Sequence, residues 1–544
     1  MRKISFCITL IVISNVLLLS GCRSSQTQYE LEESFLQKHP DYDPNTIVLL
    51  VHIAEGRNGV YISLPRVSFA VGDGTTIVTA AHCVKRPTNW PQGEKLSSEI
   101  LAISPYYGDA FKCELAALDE KADMAILKAP WEKHPALKIA SPNDLDLTES
   151  LIVFSRPTYM TKQRDEYARR IRVAAMDIDD INHSEDKKGI TFKQARPIKP
   201  GWSGSPIVIP GTAEVAGVMS HVSGLRLRIP LILELLLAFN AAGPNVEPLW
   251  NMLENNELQD NAKIEFPDKL ISESKSELAF DSFLDYIAFF SKSDIDKANE
   301  AMDELLEIHS DSTYGNLFKA FCLTSMAEKT DVNPLEFSNQ TENFYKKAIA
   351  SDADSVLLRT LYTSFLLSHN FYDKALEQAE KAIAIEPNDY VANMSYMAAI
   401  SKVEPDNAEQ FGLTQIEKYP EDSDYQYFYG IALFELEKYE QALEAIEKAI
   451  KMNKDGEYFG GLADIYEKLG QLKKAESNYK KMTKVCGCQR CWYKYAKFLT
   501  EHRPEKSDKA QEAFEQVKKK EYMLRVSDEE MDELESLLQK NTKK

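Results

Sequence analysis

The pattern of apolar and polar positions divides the chain into two textures. Between residues 46 and 219, apolar residues fall in short β-branched runs separated by Gly, Asn, Asp and Pro clusters. Ile47-Val48-Leu49-Leu50-Val51, Val67-Ser68-Phe69-Ala70-Val71-Gly72 and Thr76-Ile77-Val78-Thr79 come first. Leu151-Ile152-Val153-Phe154, Ile190-Thr191-Phe192, Pro206-Ile207-Val208-Ile209 and Val215-Ala216-Gly217-Val218-Met219 follow, and Val173 to Met176 is weaker. Short strands with turn signals between them predict a β-sandwich or barrel. Residues 225–239 are leucine-rich with little alternation, and predict a helix that closes this region.

From about residue 280 the texture is helical, acidic and periodic. Small residues open amphipathic runs at Ala298, Thr341, Ala375, Ala408, Ala442, Ala475 and Ala510, and from Thr341 onward the spacings are 34, 33, 34, 33 and 35. Four residues after each stand Met302, Tyr345, Ala379, Gly412, Ile446, Tyr479 and Phe514; seven after, Leu305, Ala348, Ala382, Gln415, Ala449, Met482 and Val517. Small residues let two helices approach, and larger ones fill the groove between units, so this period predicts stacked helix pairs. The pattern resembles the tetratricopeptide repeat, with Tyr429-Gly430, Tyr439 and Ala442, or Tyr466, Gly470 and Ala475, fitting its helix-turn-helix consensus. The interval from Ala298 to Thr341 is 43, which implies an insertion around residues 328–336. The repeat at Ala408 is degenerate and the last is irregular. Ser527-Asp528-Glu529-Glu530 reads as a capping box opening a terminal helix. Such an array implies a groove that recruits a protein or peptide; a spacer is the alternative.

A length of 544 residues exceeds one core and fits about three domains. The net charge of −20 supplies no basic groove and excludes nucleic acid as a partner. At the N-terminus, Arg2 and Lys3 precede the apolar run from Ile8 to Leu19, then Ser20, Gly21 and Cys22. These are the regions of an export signal, and the apolar run is short for a membrane span. Leu19-Ser20-Gly21-Cys22 resembles the lipobox of bacterial lipoproteins, which implies lipid on Cys22, a membrane anchor and a place in the bacterial cell envelope. Arg23, where a retention-type Asp would stand, favours the outer membrane. Export permits disulfides. Cys83 with Cys113 is one candidate pair, two buried free thiols being the alternative. Cys486-Gly487-Cys488-Gln489-Arg490-Cys491 puts three cysteines in six residues, with His502 the nearby fourth candidate. Zinc sites usually offer four ligands, so a disulfide or structural thiols are expected here, and neither a metal nor a cofactor.

The candidate chemistry lies in three stretches: Thr79-Ala80-Ala81-His82-Cys83, Asp123-Met124-Ala125-Ile126-Leu127 and Gly201-Trp202-Ser203-Gly204-Ser205-Pro206. A serine hydroxyl attacks only when an imidazole takes its proton, and that imidazole needs a carboxylate to fix its tautomer. The order His, Asp, Ser is the chymotrypsin order. Together the three stretches resemble a chymotrypsin-fold serine protease, closer to the bacterial HtrA/Deg type than to digestive trypsins. The resemblance implies a double β-barrel, with His82 as base, Asp123 as its orienter and Ser203 as nucleophile. It also implies an oxyanion hole made by the backbone N–H groups of Gly201 and Ser203.

This sequence departs from the pattern at two places. Trp202 replaces the Asp that digestive relatives pair with a new N-terminus, so activation by that route is not expected. At the position of the pocket base stands Pro197, beside Arg196, and not an acid, which points to small or apolar side chains before the cut. His221 is a candidate for the substrate cleft; His52 and His134 read as ordinary. The expected organisation is a multidomain chain: signal 1–22, polar tether 23–45, all-β protease domain 46–240, linker 241–280, all-α repeat solenoid 281–520 and capping helix 521–544. The expected activity is that of a serine endopeptidase acting on protein or peptide, with an inactive protease-like scaffold as the competing reading.

Overall fold

The computed structural model of the chain describes residues 43–56, 59–87, 90, 94–140, 151–155, 172–176, 181–183, 189–193, 202–209, 214–219, 221–229, 233–244, 273–291, 294–327, 334–519 and 528–542. Cys22, Pro197 and Gly201 lie outside these residues. Two compact units emerge, the first running to Phe318 without the short segments 55–58 and 95–97, and the second made of Lys319–Lys544 together with those two segments.

The first unit begins with strands β1 (Ile47–Gly56), β2 (Gly59–Ile62), β3 (Arg66–Val71) and β4 (Thr76–Thr79). A four-residue helix α1 (Ala81–Val84) precedes β5 (Ser97–Ser104), β6 (Asp109–Asp119) and β7 (Met124–Lys128). The sheet order is β2-β1-β3-β4-β7-β6-β5, and β1 also pairs with β5. That last pairing closes six strands into a barrel, which leaves no free edge among them. Val48, Leu50, Ile77, Ala102, Cys113, Leu127, Ala129 and Trp131 form one apolar cluster in it. Val48 and Leu50 stand two apart on β1, so the strand period brings both to the same face.

Among the described residues nine more strands follow: β8 (Lys138–Ile139), β9 (Leu151–Ser155), β10 (Arg172–Met176), β11 (Ile181–His183), β12 (Gly189–Lys193), β13 (Pro206–Val208), β14 (Glu214–Val218), β15 (His221–Ile229) and β16 (Leu233–Pro244). They make a five-stranded sheet in the order β10-β9-β13-β14-β8 and a four-stranded one in the order β11-β12-β16-β15. Every run read as a strand from the sequence is a strand. The helix expected over residues 225–239 is not there: β15 and β16 pair antiparallel instead, Leu225 opposite Leu237 and Ile229 opposite Leu233. Leu225-Arg226-Leu227-Arg228-Ile229 alternates with period two, and Pro230 interrupts any helix through the stretch.

Helices α2 (Glu273–Phe290), α3 (Ile295–Ile308) and α4 (Thr313–Ala327) follow. The first unit takes in α2, α3 and the first turns of α4, which are tied to the closed barrel. Tyr314 Oη donates to Glu99 Oε2 at 2.6 Å and Ser312 Oγ to Asp109 Oδ1 at 2.7 Å.

Two buried histidines in this unit make it acid-sensitive. His52 on β1 sends Nε2 to the carbonyl of Cys83 at 2.9 Å. His134 is fully buried, stacks on Trp131 at 4.6 Å, donates from Nδ1 to Pro135 O and accepts at Nε2 from Ser104 Oγ. Burial lowers both from an ordinary 6.5 to about 4. The unfolded chain therefore takes up these protons near pH 6.5 and the native one only near pH 4, so stability falls as pH drops through that window. Between pH 6.5 and 5 each histidine is expected to cost about 2 kcal/mol. Thermal melts across that range check this, with His134→Gln losing part of the slope.

In the second unit helices α5 (Pro334–Ser351), α6 (Val356–Ser368), α7 (Tyr372–Ile385), α8 (Tyr390–Val403), α9 (Pro405–Lys418), α10 (Ser423–Glu435), α11 (Tyr439–Met452), α12 (Gly456–Lys468), α13 (Leu472–Val485), α14 (Gln489–His502), α15 (Ser507–Lys519) and α16 (Asp528–Thr542) pack each on its neighbour. Ala375, Ala408, Ala442, Ala475 and Ala510, the small residues of the sequence period, are buried on every second helix. The structure adds a second periodic row. Ser355, Asp389, Asp422 and Asp455 stand at the N-caps of α6, α8, α10 and α12, and each side chain accepts a backbone N–H of its helix. One cap per repeat satisfies a donor that the helix cannot satisfy itself, stabilising each by about 1 kcal/mol. Among the described residues no helix is long and apolar enough to cross a membrane.

Candidate active site

His82 sits in α1, directly after β4, and Asp123 immediately precedes β7. β4 and β7 are paired, Thr79 opposite Ala125, so the two residues emerge side by side at one end of the sheet. Asp123 Oδ2 lies 2.9 Å and Oδ1 3.1 Å from His82 Nδ1, and Oδ1 also accepts the His82 backbone N–H at 3.0 Å. Asp123 adopts φ +51, a left-handed conformation that Asp tolerates better than most side chains. That turn of the backbone is what carries the carboxylate back over α1. First the hydrogen bond to Asp123, then the Cys83 thiol, raises the His82 pKa well above the ordinary imidazole value. The effect stabilises an imidazolium that has Asp123 as its partner.

Ser203 lies in a turn before β13. The Ser205 N–H donates to Trp202 O at 3.1 Å, so residues 202–205 form a four-residue turn with Gly204 third at φ +90. A type II turn needs that conformation at its third position. Glycine is required on steric grounds too, since a Cβ there would stand 2.0 Å from Val67 O and 2.4 Å from Thr79 Oγ1. The turn is thus pressed onto β3 and β4, the strand that leads into His82. The Gly204 N–H donates to Met219 O and the Met219 N–H to Ser205 O, which pins the turn to the end of β14. Trp202 is buried, and Ser205 Oγ donates to Trp202 O at 2.6 Å and accepts from Ser155 Oγ at 2.9 Å.

The fold brings His82 and Asp123 into direct contact, and links Ser203 to them through its neighbour: Cys83 Sγ lies 3.7 Å from Ser203 O. Among the described residues Ser203 Oγ makes no hydrogen bond, to His82 or to any other group. Catalytic hydrogen bonds are often long before substrate binds. Of the remaining site expectations, His221 opens β15. Cys83 and Cys113 are buried free thiols, which decides against the disulfide. Cys113 is on β6 opposite Ile100, its sulfur toward Phe111 O, while Cys83 faces the Ser203 turn.

Arg66 is a residue that the sequence did not reveal. Its Nη1 donates to the carbonyl of His82, steadying α1 from β3. No local pattern announces a contact of that kind.

Comparison with known proteins places residues 67–218 in the trypsin-like peptidase domain family, a span that contains His82, Asp123 and Ser203. A tetratricopeptide repeat protein from Parabacteroides merdae is 16% identical with a TM-score of 0.37, covering 49% of this chain and 100% of its own. A thermophilic tetratricopeptide-repeat protein from Thermus thermophilus is 16% identical with a TM-score of 0.27, covering 30% of this chain and 92% of its own. No curated protein matches the chain.

Proposed function

We propose that this trypsin-like peptidase domain is an active serine endopeptidase, held at the bacterial cell envelope by lipid on Cys22, and that the helical repeats recruit its protein or peptide substrates. The observation that supports the activity most is the pair of contacts from Asp123 to His82 Nδ1. With Nδ1–H directed at the carboxylate, Nε2 is left as the basic nitrogen. In this reading Ser203 Oγ bonds to the scissile carbonyl carbon while its proton passes to His82 Nε2. The tetrahedral oxyanion is held by the backbone N–H groups of Ser203 and Gly201. His82 returns the proton to the leaving amine as the C–N bond breaks; water, giving its proton to the same imidazole, then bonds to the acyl carbon, the bond to Ser203 Oγ breaks and His82 returns the proton to that oxygen. Pro197 and His221 would line the pocket before the scissile bond.

A fluorophosphonate that phosphonylates activated serines tests this. The wild-type chain is expected to be labelled on Ser203 and Ser203→Ala to remain unlabelled. Absence of label on both, with the barrel folded by thermal melt, favours a protease-like scaffold whose repeats alone are functional. The anchor is tested separately: Cys22→Ser is expected to move the protein from the membrane fraction to the soluble one.

A further inference from the structure

The row of helix caps in the second unit has one exception, and it coincides with the cysteine-rich run. Ser355, Asp389, Asp422 and Asp455 cap successive repeats at intervals of 34, 33 and 33. Cys488 is the next residue of that row and the N-cap of α14, and it makes no side-chain cap hydrogen bond. A thiol is a poor substitute for Ser or Asp there, so the repeat forgoes about 1 kcal/mol of capping. Other groups gather around it. Cys486 caps the end of α13, Gly487 turns the chain with φ +65, and Cys491 stands in the first turn of α14. The Sγ atoms of Cys486, Cys488 and Cys491 all lie within 4.8 Å of one another, with those of Cys488 and Cys491 3.0 Å apart. Cys488 and Cys491 are buried and Cys486 is exposed. The preceding repeat accommodates this turn. At Gly456, the first residue of α12, a Cβ would stand only 2.6 Å from Cys486 Cβ. His502, the sequence's candidate fourth ligand, is engaged elsewhere, with Glu467 at 3.0 Å.

We infer that Cys486, Cys488 and Cys491 form a three-thiolate site for a thiophilic divalent cation of the zinc class, with its fourth position open on the Cys486 side. Three thiolates around a tetrahedral ion at about 2.3 Å stand about 3.8 Å from one another, a value between the 3.0 Å of the Cys488–Cys491 pair and the 4.8 Å that bounds all three. The N-terminus of α14 favours negative sulfur at Cys488 and Cys491. A disulfide between Cys488 and Cys491 would use two of the three sulfurs and give no reason for the third to converge or for Gly456 to make room for it. The binding energy would fix the turn between α13 and α14 against α12.

The test uses the full chain, reduced and freed of metal, titrated with cadmium and followed by the thiolate-to-metal charge-transfer band. One equivalent is expected to bind and to raise the melting temperature of the helical unit. Cys486→Ser, an exposed position that leaves packing intact, is expected to weaken binding by at least about 10- to 100-fold, the loss seen when groups that merely support a ligand are removed. Cys322→Ser, at a buried cysteine outside the cluster, is expected to bind as wild type. No stoichiometric band in the reduced wild-type chain, equal binding by Cys486→Ser, or a Cys488–Cys491 disulfide in metal-free protein isolated from cells would each overturn the proposal.

Discussion

Asp123→Asn is expected to slow phosphonylation of Ser203 by about ten-thousand-fold while leaving the fold intact. The substitution is unusually clean at this position. Asn tolerates the left-handed backbone at φ +51 as well as Asp does, and its Oδ1 can still accept the His82 backbone N–H. What changes is the tautomer. An Asn Nδ2–H directed at His82 Nδ1 places the imidazole proton on Nε2, where it cannot receive one from Ser203. A second readout separates this from a structural effect. The base must be unprotonated to act, so wild-type labelling rises with pH through the His82 pKa, which Asp123 holds high. Removing the carboxylate is expected to move that rise to lower pH as well as to lower its plateau. A variant that labels as fast as wild type would remove Asp123 from the chemistry.

Gly204→Ala is expected to remove labelling and to destabilise the first unit by about 3 to 5 kcal/mol, combining left-handed strain with an overpacked contact. The Cβ would meet a backbone carbonyl, Val67 O, and the hydroxyl of Thr79 that is already bonded to it. Neither can step aside without disturbing the pairing of β3 with β4. The expected fall in melting temperature is on the order of 10 °C for a unit of this size. Ser203→Ala is the comparison: it removes the label and leaves the melt unchanged, because Ser203 Oγ holds no hydrogen bond among the described residues. If Gly204→Ala melted as wild type, the close packing of the nucleophile turn on the six-stranded barrel would be wrong.

Several features of the fold are legible in the sequence alone. Short β-branched apolar runs between turn-forming residues identified β1, β3 and β4, and the 33–35-residue recurrence of small residues found the buried seam of alternate helices. Both are patterns that a fold imposes directly on neighbouring positions. The misreading of residues 225–239 has the same origin. Leucine content there favours a helix, but the alternation Leu225-Arg226-Leu227-Arg228-Ile229 and the break at Pro230 favour strands, and the outcome is the β15–β16 hairpin. The cap row at Ser355, Asp389, Asp422 and Asp455 was visible in principle, but helix starts had to be located before a Ser or Asp there meant more than a polar residue.

The sequence by itself determined which residues carry the candidate chemistry, because an imidazole, a carboxylate and a hydroxyl in recognisable local motifs are identifiable by type and order. Only the tertiary structure decided how they meet. It is the β4–β7 pairing that sets Asp123 against His82, and the absence of a side chain at residue 204 that lets the Ser203 turn rest on Val67. Cys83 and Cys113 stay apart for the same reason, and Cys486 joins Cys488 and Cys491 across a turn that Gly456 leaves room for. Contacts between distant segments depend on strand pairing and on which segment meets the space a glycine leaves, and a local motif does not name that partner.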